Sequence, residues 1–333
     1  MATFRKRGNK WRAEVTKNGV RKSATFLAKA QAMTWAAEME GNIRSGSITA
    51  DIVRVTFTQA IERYVDEISP TKRVGAWEAT RAKKFLRDME FAGETMDMIT
   101  SDHIKKWRDN ELKRVANSTV NRDLNFLSAV FEESRREWKY CNINPVRETK
   151  RPKNPRPRDR LIAGEEIEAI LNELNYREGE EPKTITPRIG TAFLFAIETA
   201  MRAGEICRLT WDNVFLDRRY VRLDITKNGD PRNVPLSSRA KVLLETLPRD
   251  GDLCFGFSNS TRDTLFRRAR RRASSALPSI KTLKFHDTRH EAITRLARKL
   301  DVLDLARMIG HRDPKSLMIY YNATATDIAS RLD

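Results

Sequence analysis

The feature that most constrains the fold is a proline-rich, basic segment in the middle of the chain. Pro145, Pro152, Pro155 and Pro157 fall close together, in a stretch with the basic residues Lys150, Arg151, Lys153, Arg156, Arg158 and Arg160. Proline fixes its own φ and has no amide hydrogen, so such a segment stays extended and outside helices. We therefore predict a linker over 151–160. A chain of 333 residues is also longer than one compact core usually holds, which favours two or three domains.

The first segment, residues 1–54, has the pattern of a small α+β module. Apolar and polar residues alternate over 11–16 and again over 20–26, on either side of Asn18-Gly19. Asn-Gly accepts the positive φ of a two-residue turn, so we expect a β-hairpin there. Helical spacing follows over 28–46. The module is either a small domain with a solvated basic face or a β-hairpin that lies in a DNA groove.

Helical spacing dominates the two longer segments. Residues 55–150 predict an all-α domain whose aromatic side chains form its core rather than a platform for base stacking. Residues 161–333 predict a mainly helical domain with a short β-hairpin over 220–236. The expected architecture is therefore multidomain: a small α+β module, an all-α domain, and a mainly α domain with a small β-sheet.

The charge balance indicates a polyanionic partner. Lysine and arginine number 63 against 45 aspartates and glutamates, a net charge of +18. The excess is +7 in residues 1–54, +2 in 55–150 and +9 in 151–333. Hydrophobic residues make up 40% of the chain, which is enough to form hydrophobic cores and argues against a disordered basic tail. Nucleic acid is the leading candidate partner, although basic proteins of other classes share this balance.

Several other classes are disfavoured by the sequence. The longest apolar run, residues 192–197, is far shorter than the roughly 20 residues of a membrane span. We expect no secretory signal, because no apolar stretch follows the basic N-terminus. The three cysteines are far apart and lack CxxC spacing, so we expect neither a disulfide scaffold nor a cysteine zinc site.

Three of the four histidines lie in the last 50 residues, whereas His103 stands apart and is interpreted as incidental. His286 and Arg289 would share one helical face, with His290 beside them. A metal site is disfavoured because the HxxxH spacing lacks the glutamate of HExxH and Arg289 would repel a cation. Imidazole beside guanidinium instead suits a phosphate.

Two further features could belong to the same phosphate site. Arg202 lies where a predicted helix ends in a glycine-containing turn. Gly310-His311 precedes Tyr320 and Tyr321. A tyrosine has a pKa near 10, so as a nucleophile it needs neighbouring cations that stabilise its charged form.

Taken in order, these motifs resemble the tyrosine recombinase (phage integrase) family of DNA strand-exchange enzymes. Thr199–Glu205 is similar to the family's first arginine box. Residues 226–236 are similar to its hairpin lysine and the strand that follows it. Phe285–His290 is similar to the family's HxxR box. Ile309-Gly310-His311, with Tyr320 nine residues after the histidine, is similar to its nucleophile segment. Residues 55–150 resemble the family's core-binding domain and 161–333 its catalytic domain. Residues 1–54 are similar to its arm-binding module.

The resemblance implies a role for each matching residue. Tyr320 would attack the scissile phosphate to form a 3′-phosphotyrosine, with Tyr321 as the alternative nucleophile. Arg202 and Arg289 would hold the phosphate oxygens. The remaining implied catalytic residues are Lys227 as general acid, His286 in proton transfer and His311 as a donor to a phosphate oxygen. Glu205 and His290 would contact the catalytic residues and support them without contacting the phosphate.

The resemblance also implies partners and cofactors. Neither a metal nor ATP is expected, because guanidinium groups neutralise the phosphate and the covalent bond conserves its energy. Double-stranded DNA is the expected substrate and a homotetramer on DNA the expected assembly, with DNA-bending or directionality factors as candidate accessory partners. A cytoplasmic, nucleoid-associated location in a bacterial host is implied. The basic residues expected to contact DNA are Arg12, Lys22, Arg151, Lys153, Arg156, Arg158, Arg267 and Arg271.

The implied function is integration or excision of a phage or mobile element by site-specific recombination. Two alternatives stay open. A type IB topoisomerase-like enzyme shares the nucleophile chemistry but relaxes DNA, and the arm-like module argues against it. A DNA-binding regulator could keep the fold without catalysis, although it would not need all six catalytic positions.

Overall fold

The structure, a computed structural model, describes residues 2–17, 20–44, 52–155, 158–224, 231–311 and 317. The chain forms two compact units, Met1–Pro157 and Arg158–Asp333. The assignment of 1–54, 55–150, 151–160 and 161–333 to separate functions stays a prediction. None of the helices in the described ranges is long and apolar enough to cross a membrane.

The N-terminal module is a three-stranded antiparallel sheet with one helix on one face. Its strands follow each other in the sheet in chain order, and they are β1 (Ala2–Arg7), β2 (Lys10–Lys17) and β3 (Val20–Phe26). The helix is α1 (Lys29–Arg44). The expected hairpin is β2–β3, whose turn at Asn18-Gly19 lies outside the described residues, and β1 is an additional strand that the alternation did not predict. Val15 and Val20 pack on Ala36 and Ile43 of α1.

The rest of the first unit is helical, as expected. Its long helices are α2 (Phe57–Glu67), α3 (Gly75–Asp88), α4 (Ser101–Leu112) and α5 (Asn117–Arg136). Phe57, Phe85 and Phe131 are almost completely buried, and Phe85 stacks on Phe126 at 5.6 Å between ring centroids. The interpretation of the aromatic residues as core is therefore confirmed for these side chains. Burying rings of this size is a main source of stability in so small a domain.

His103 has a structural position in this unit. The backbone N–H of Thr100 donates to its Nδ1 at 3.1 Å, so the imidazole caps the N-terminus of α4. The first turn of a helix has amide hydrogens without partners within the helix, and a side-chain acceptor satisfies one of them. The cap accounts for a histidine here without any catalytic role.

The second unit is a mainly helical domain with a small antiparallel sheet. Its strands, adjacent in chain order, are β4 (Val214–Phe215), β5 (Tyr220–Leu223) and β6 (Arg232–Pro235). Its helices are α6 (Gly164–Glu173), α7 (Ile185–Thr199), α8 (Ala203–Cys207), α9 (Ser238–Glu245), α10 (Asn259–Ala276), α11 (Asp287–Leu296) and α12 (Val302–Ile309). The predicted hairpin is β5–β6, and 225–230 between its strands lies outside the described residues. Helix α7 is buried almost throughout and forms the centre of the core.

Candidate active site

The site begins where α7 ends. Ala200, completely buried, adopts a left-handed conformation with φ of 53°, which few residues other than glycine favour. This residue reverses the chain, so that Arg202 precedes the first turn of α8. The sequence predicted a glycine-containing turn here, but the turn residue is Ala200, and Gly204 lies inside α8.

Arg202 and Glu205 form a tight local pair. The backbone N–H of Arg202 donates to Glu205 Oε2 at 2.9 Å, and its Nη1 donates to Oε1 at 2.9 Å. Glu205 is only 4% exposed. Burial would raise the pKa of Glu205, but hydrogen bonds from Arg232 and Arg202 outweigh it, and the pKa lies below its usual value. The carboxylate is therefore charged at neutral pH.

Arg289 joins three helices at the site. It is buried in the first turn of α11, and its guanidinium donates to the carbonyl oxygens of Ala200 and Ile309, the latter at 2.9 Å. His286, the residue before α11, is exposed, and His290 is partly exposed. The HxxR spacing thus places one imidazole at the surface and the arginine beneath it.

An ion pair fixes the start of α11. Asp287 is 3% exposed and accepts hydrogen bonds from Arg158 Nε at 2.6 Å and Nη2 at 2.8 Å. The backbone N–H of Lys284 donates to the same carboxylate at 2.8 Å. Arg158 was predicted to contact DNA, and its observed contacts are with protein, including the carbonyl oxygen of Thr282. This pair orients the helix turn that carries His286 and Arg289.

His311 follows the sharp end of α12. Gly310 has a φ of +68°, and the N–H of His311 donates to the carbonyl oxygen of Ala306 at 3.0 Å. The pKa of His311 lies below its usual value, first because the ring is partly buried and then because three guanidinium groups are close to it. Those groups belong to Arg289, Arg202 and Arg232. A neutral imidazole surrounded by cations is suited to donate a hydrogen bond to an anion.

Arg232 is the residue at this site to which sequence reasoning gave no role. It opens β6 opposite Leu223 and shares a sheet face with Val234, which is completely buried. An arginine in the inward register of an alternating strand is the signal that could have identified it.

Two predicted catalytic residues, Lys227 and Tyr320, lie outside the described residues, as do Tyr321 and Arg156. The structure brings together Arg202, Glu205, Arg289 and His311. Within the described part of the chain, no cluster of three or more histidine, cysteine or acidic side chains is placed to hold a metal.

The predicted DNA contacts of the N-terminal module lie on opposite faces of its sheet. Arg12 pairs directly with Arg5 across β1 and β2. Lys22 pairs with Val15, which is buried against α1, and so lies on the helix-bearing face. The open face instead carries Arg5, Arg7, Arg12 and Arg21 around a single acid, Glu14. The strand register therefore separates Lys22 from Arg12, and the DNA contacts of both residues stay a prediction.

The first part of the predicted linker is tied to the helical domain. Arg108 donates to the carbonyl oxygen of Lys150, and Asn117 to that of Lys153. Arg151 donates to Asn125 Oδ1 at 2.7 Å. Residues 150–154 thus follow α4 and α5 rather than spanning free solvent. Arg267 and Arg271, one helical turn apart on α10, are both exposed.

Comparisons with known proteins identify the family of the chain. The sequence model of the phage integrase family matches residues 160–327. A Haemophilus influenzae protein named integrase/recombinase is 39% identical over 97% of this chain and 87% of its own length. The shufflon-specific DNA recombinase of Escherichia coli is 34% identical over 85% of this chain and 73% of its own.

The chain belongs to the phage integrase family. It is a site-specific recombinase of the tyrosine class. Two crystal structures of lambda integrase have the same fold. A dimer bound to a COC′ core site has a TM-score of 0.66 at 17% identity, covering 96% of this chain and 94% of that one. A tetramer bound to a Holliday junction has a TM-score of 0.63 at 18% identity, covering 93% and 96%.

Proposed function

We propose that this integrase cleaves DNA at the site formed by Arg202, Arg289 and His311, with Tyr320 as the nucleophile. The observation that carries the proposal is the convergence of three arginines where α7 and α12 end: Arg289 donates to Ala200 and Ile309, Arg232 to Met308 and Glu205, and Arg202 to Glu205, next to the residue His311. Glu205 compensates only one of these three charges, and the remaining positive charge is costly to bury unless another anion balances it. The phosphate of a DNA backbone has the charge and the acceptor oxygens for that position.

The proposed chemistry gives each residue the role that the family resemblance implies. The phenolate oxygen of Tyr320 forms a bond to the phosphorus, and the bond to the 5′-oxygen breaks. A 3′-phosphotyrosine and a free 5′-hydroxyl result. Arg202 and Arg289 neutralise the charge that grows on the non-bridging oxygens, and His311 donates to one of them. Attack by the 5′-hydroxyl of another strand reverses the step and completes the exchange.

Two protons must move in each cleavage. The nucleophile loses one, and the departing 5′-oxygen gains one. Lys227 is proposed to protonate the leaving oxygen, and exposed His286 to assist the transfer. Glu205 and His290 are proposed to support the catalytic groups without contacting the substrate.

The proposed substrate is double-stranded DNA, and the proposed assembly is a homotetramer on paired sites. Lambda integrase crystallised as a dimer on a core site and as a tetramer on a Holliday junction, which supports both proposals. The arginine-rich face of the N-terminal sheet and the exposed arginines of α10 are proposed to contact DNA backbones. Accessory bending or directionality factors stay an expectation, as does a nucleoid-associated location.

The test is covalent trapping on a nicked suicide substrate that carries the crossover site from DNA flanking the gene. We expect a protein–DNA adduct with wild type and with Tyr321→Phe, and none with Tyr320→Phe. Arg289→Lys keeps the charge but loses the planar fork, and we expect it to slow adduct formation by about 100-fold or more. An adduct that persists in Tyr320→Phe refutes the assignment of the nucleophile. Relaxation of any supercoiled plasmid without site preference would favour the topoisomerase alternative.

A further inference from the structure

We propose that Arg232 is a positioning residue for strand cleavage, which acts by neutralising Glu205 and by holding the end of α12. The inference rests on the proposed roles of Arg202 and His311. Arg232 would not touch the phosphate; it would determine how much of the positive charge of Arg202 is available to the phosphate and where His311 lies.

All three guanidinium nitrogens of Arg232 donate to groups of the site. Its side chain is 9% exposed. Nη1 donates to Glu205 Oε1 at 3.1 Å and Nη2 to Oε2 at 2.7 Å, a bidentate contact. Nε donates to the carbonyl oxygen of Met308 at 3.1 Å. A lysine has no planar fork and could not make these three contacts together.

The shared carboxylate explains why a second arginine is needed. Glu205 accepts hydrogen bonds from both Arg202 and Arg232. With Arg202 alone, the buried pair would have no net charge, and a phosphate would be attracted only weakly. Arg232 supplies the compensating charge, so the group of three keeps one positive charge beside the site. Coulombic effects of this kind are large where water is excluded.

Close packing connects the same arginine to His311. A Cβ placed on Gly310 would lie 3.1 Å from both Cδ and Nη1 of Arg232. The backbone before His311 therefore passes directly against the Arg232 side chain, which also holds the carbonyl oxygen of Met308. Loss of Arg232 would release the last turn of α12 and remove one of the three cations that face the imidazole, the others being Arg289 and Arg202.

The experiment compares single-turnover cleavage by Arg232→Met, Arg232→Lys and Arg232→Met combined with Glu205→Gln. We expect Arg232→Met to slow cleavage by about 100-fold. The dissociation constant for the same DNA should change by less than about threefold, because many other phosphate contacts provide binding. Arg232→Lys should recover part of the rate. The double variant should recover about tenfold, because it removes the charge that would otherwise neutralise Arg202.

The matched control is Arg188→Met. Arg188 is also a buried arginine paired with an acid, Asp250, but it lies in the first turn of α7, about 18 Å along the helix from Ala200. All rates are taken per folded molecule, with the folded fraction measured by circular dichroism. We expect Arg188→Met to lose stability and to keep the cleavage rate.

A second readout does not depend on cleavage. Removing a nearby cation should raise the pKa of His311, so its NMR titration should move to higher pH in Arg232→Met and stay in place in Arg188→Met. Wild-type cleavage rates in Arg232→Met, or a double variant no faster than the single, overturn the inference while the proposed function stands. An unchanged His311 titration overturns it as well. Failure of wild type to form a Tyr320-dependent adduct is a different result and contradicts the proposed function itself.

Discussion

Replacing Gly310 by alanine should destabilise the catalytic unit through two separable effects. Its φ of +68° lies in the left-handed region, which costs an alanine about 1–2 kcal/mol. The added Cβ would also lie 3.1 Å from two atoms of Arg232, whose guanidinium is held by Glu205 and Met308 and cannot easily move. Overpacking of this kind costs about 1–3 kcal/mol. We therefore expect a loss of about 2–5 kcal/mol in the free energy of unfolding.

Two other glycines of the same unit allow the effects to be separated. Gly179 has a φ of +81° and open space where a Cβ would lie, so Gly179→Ala should cost only the backbone term of about 1–2 kcal/mol. Gly251 has open space and no positive φ, so Gly251→Ala should stay within about 0.5 kcal/mol of wild type. The gain from restricting the unfolded chain is common to all three and cancels in the comparison.

The assay is native-state hydrogen exchange of α7 amides in increasing urea, which reports the opening free energy of this unit without assuming that the whole chain unfolds in one step. The difference between Gly310→Ala and Gly179→Ala measures the crowding at Arg232. If Gly310→Ala is no more destabilising than Gly179→Ala, the close packing of Arg232 on Gly310 is refuted. Cleavage measured in parallel should fall for Gly310→Ala and be retained for the other two variants.

The pH dependence of stability should contain a contribution from His311. The pKa of His311 is lowered in the folded protein, so between that pKa and about pH 6.5 the unfolded chain binds more protons than the folded chain. The free energy of unfolding therefore decreases as the pH is lowered through this range. In urea unfolding measured as a function of pH, His311→Gln should lack this decrease. If the profiles of His311→Gln and wild type run parallel, the prediction is contradicted. For the N-terminal module, Arg5→Ala should lower the salt dependence of DNA binding by about one unit of slope, because it removes a cation from the open sheet face. Lys22→Ala, on the helix-bearing face, is the control, and an equal effect of both variants would contradict the proposal that the open face contacts DNA.

Much of the architecture could be predicted from local pattern. Alternation on both sides of Asn18-Gly19 predicted the β2–β3 hairpin, because the side chains of a strand alternate between its faces. Helical spacing predicted the long helices and the aromatic core of residues 55–150. Strand β1 was missed because Phe4 is its only large apolar residue. As an edge strand, β1 needs few apolar side chains to pack on the module.

The sequence by itself indicated the family of this recombinase: Arg202, the HxxR box and Gly310-His311 follow one another in the order of the phage integrase motifs, and their side chains suit a phosphate. The tertiary structure alone decided which groups act together. Arg232 reaches Glu205 across 27 residues and Met308 across 76, and its buried carboxylate partner is shared with Arg202. Such contacts depend on how β6, α8 and α12 pack, and spacing along the chain does not encode them. The same holds for Arg12 and Lys22, whose opposite faces follow from the register of the strands.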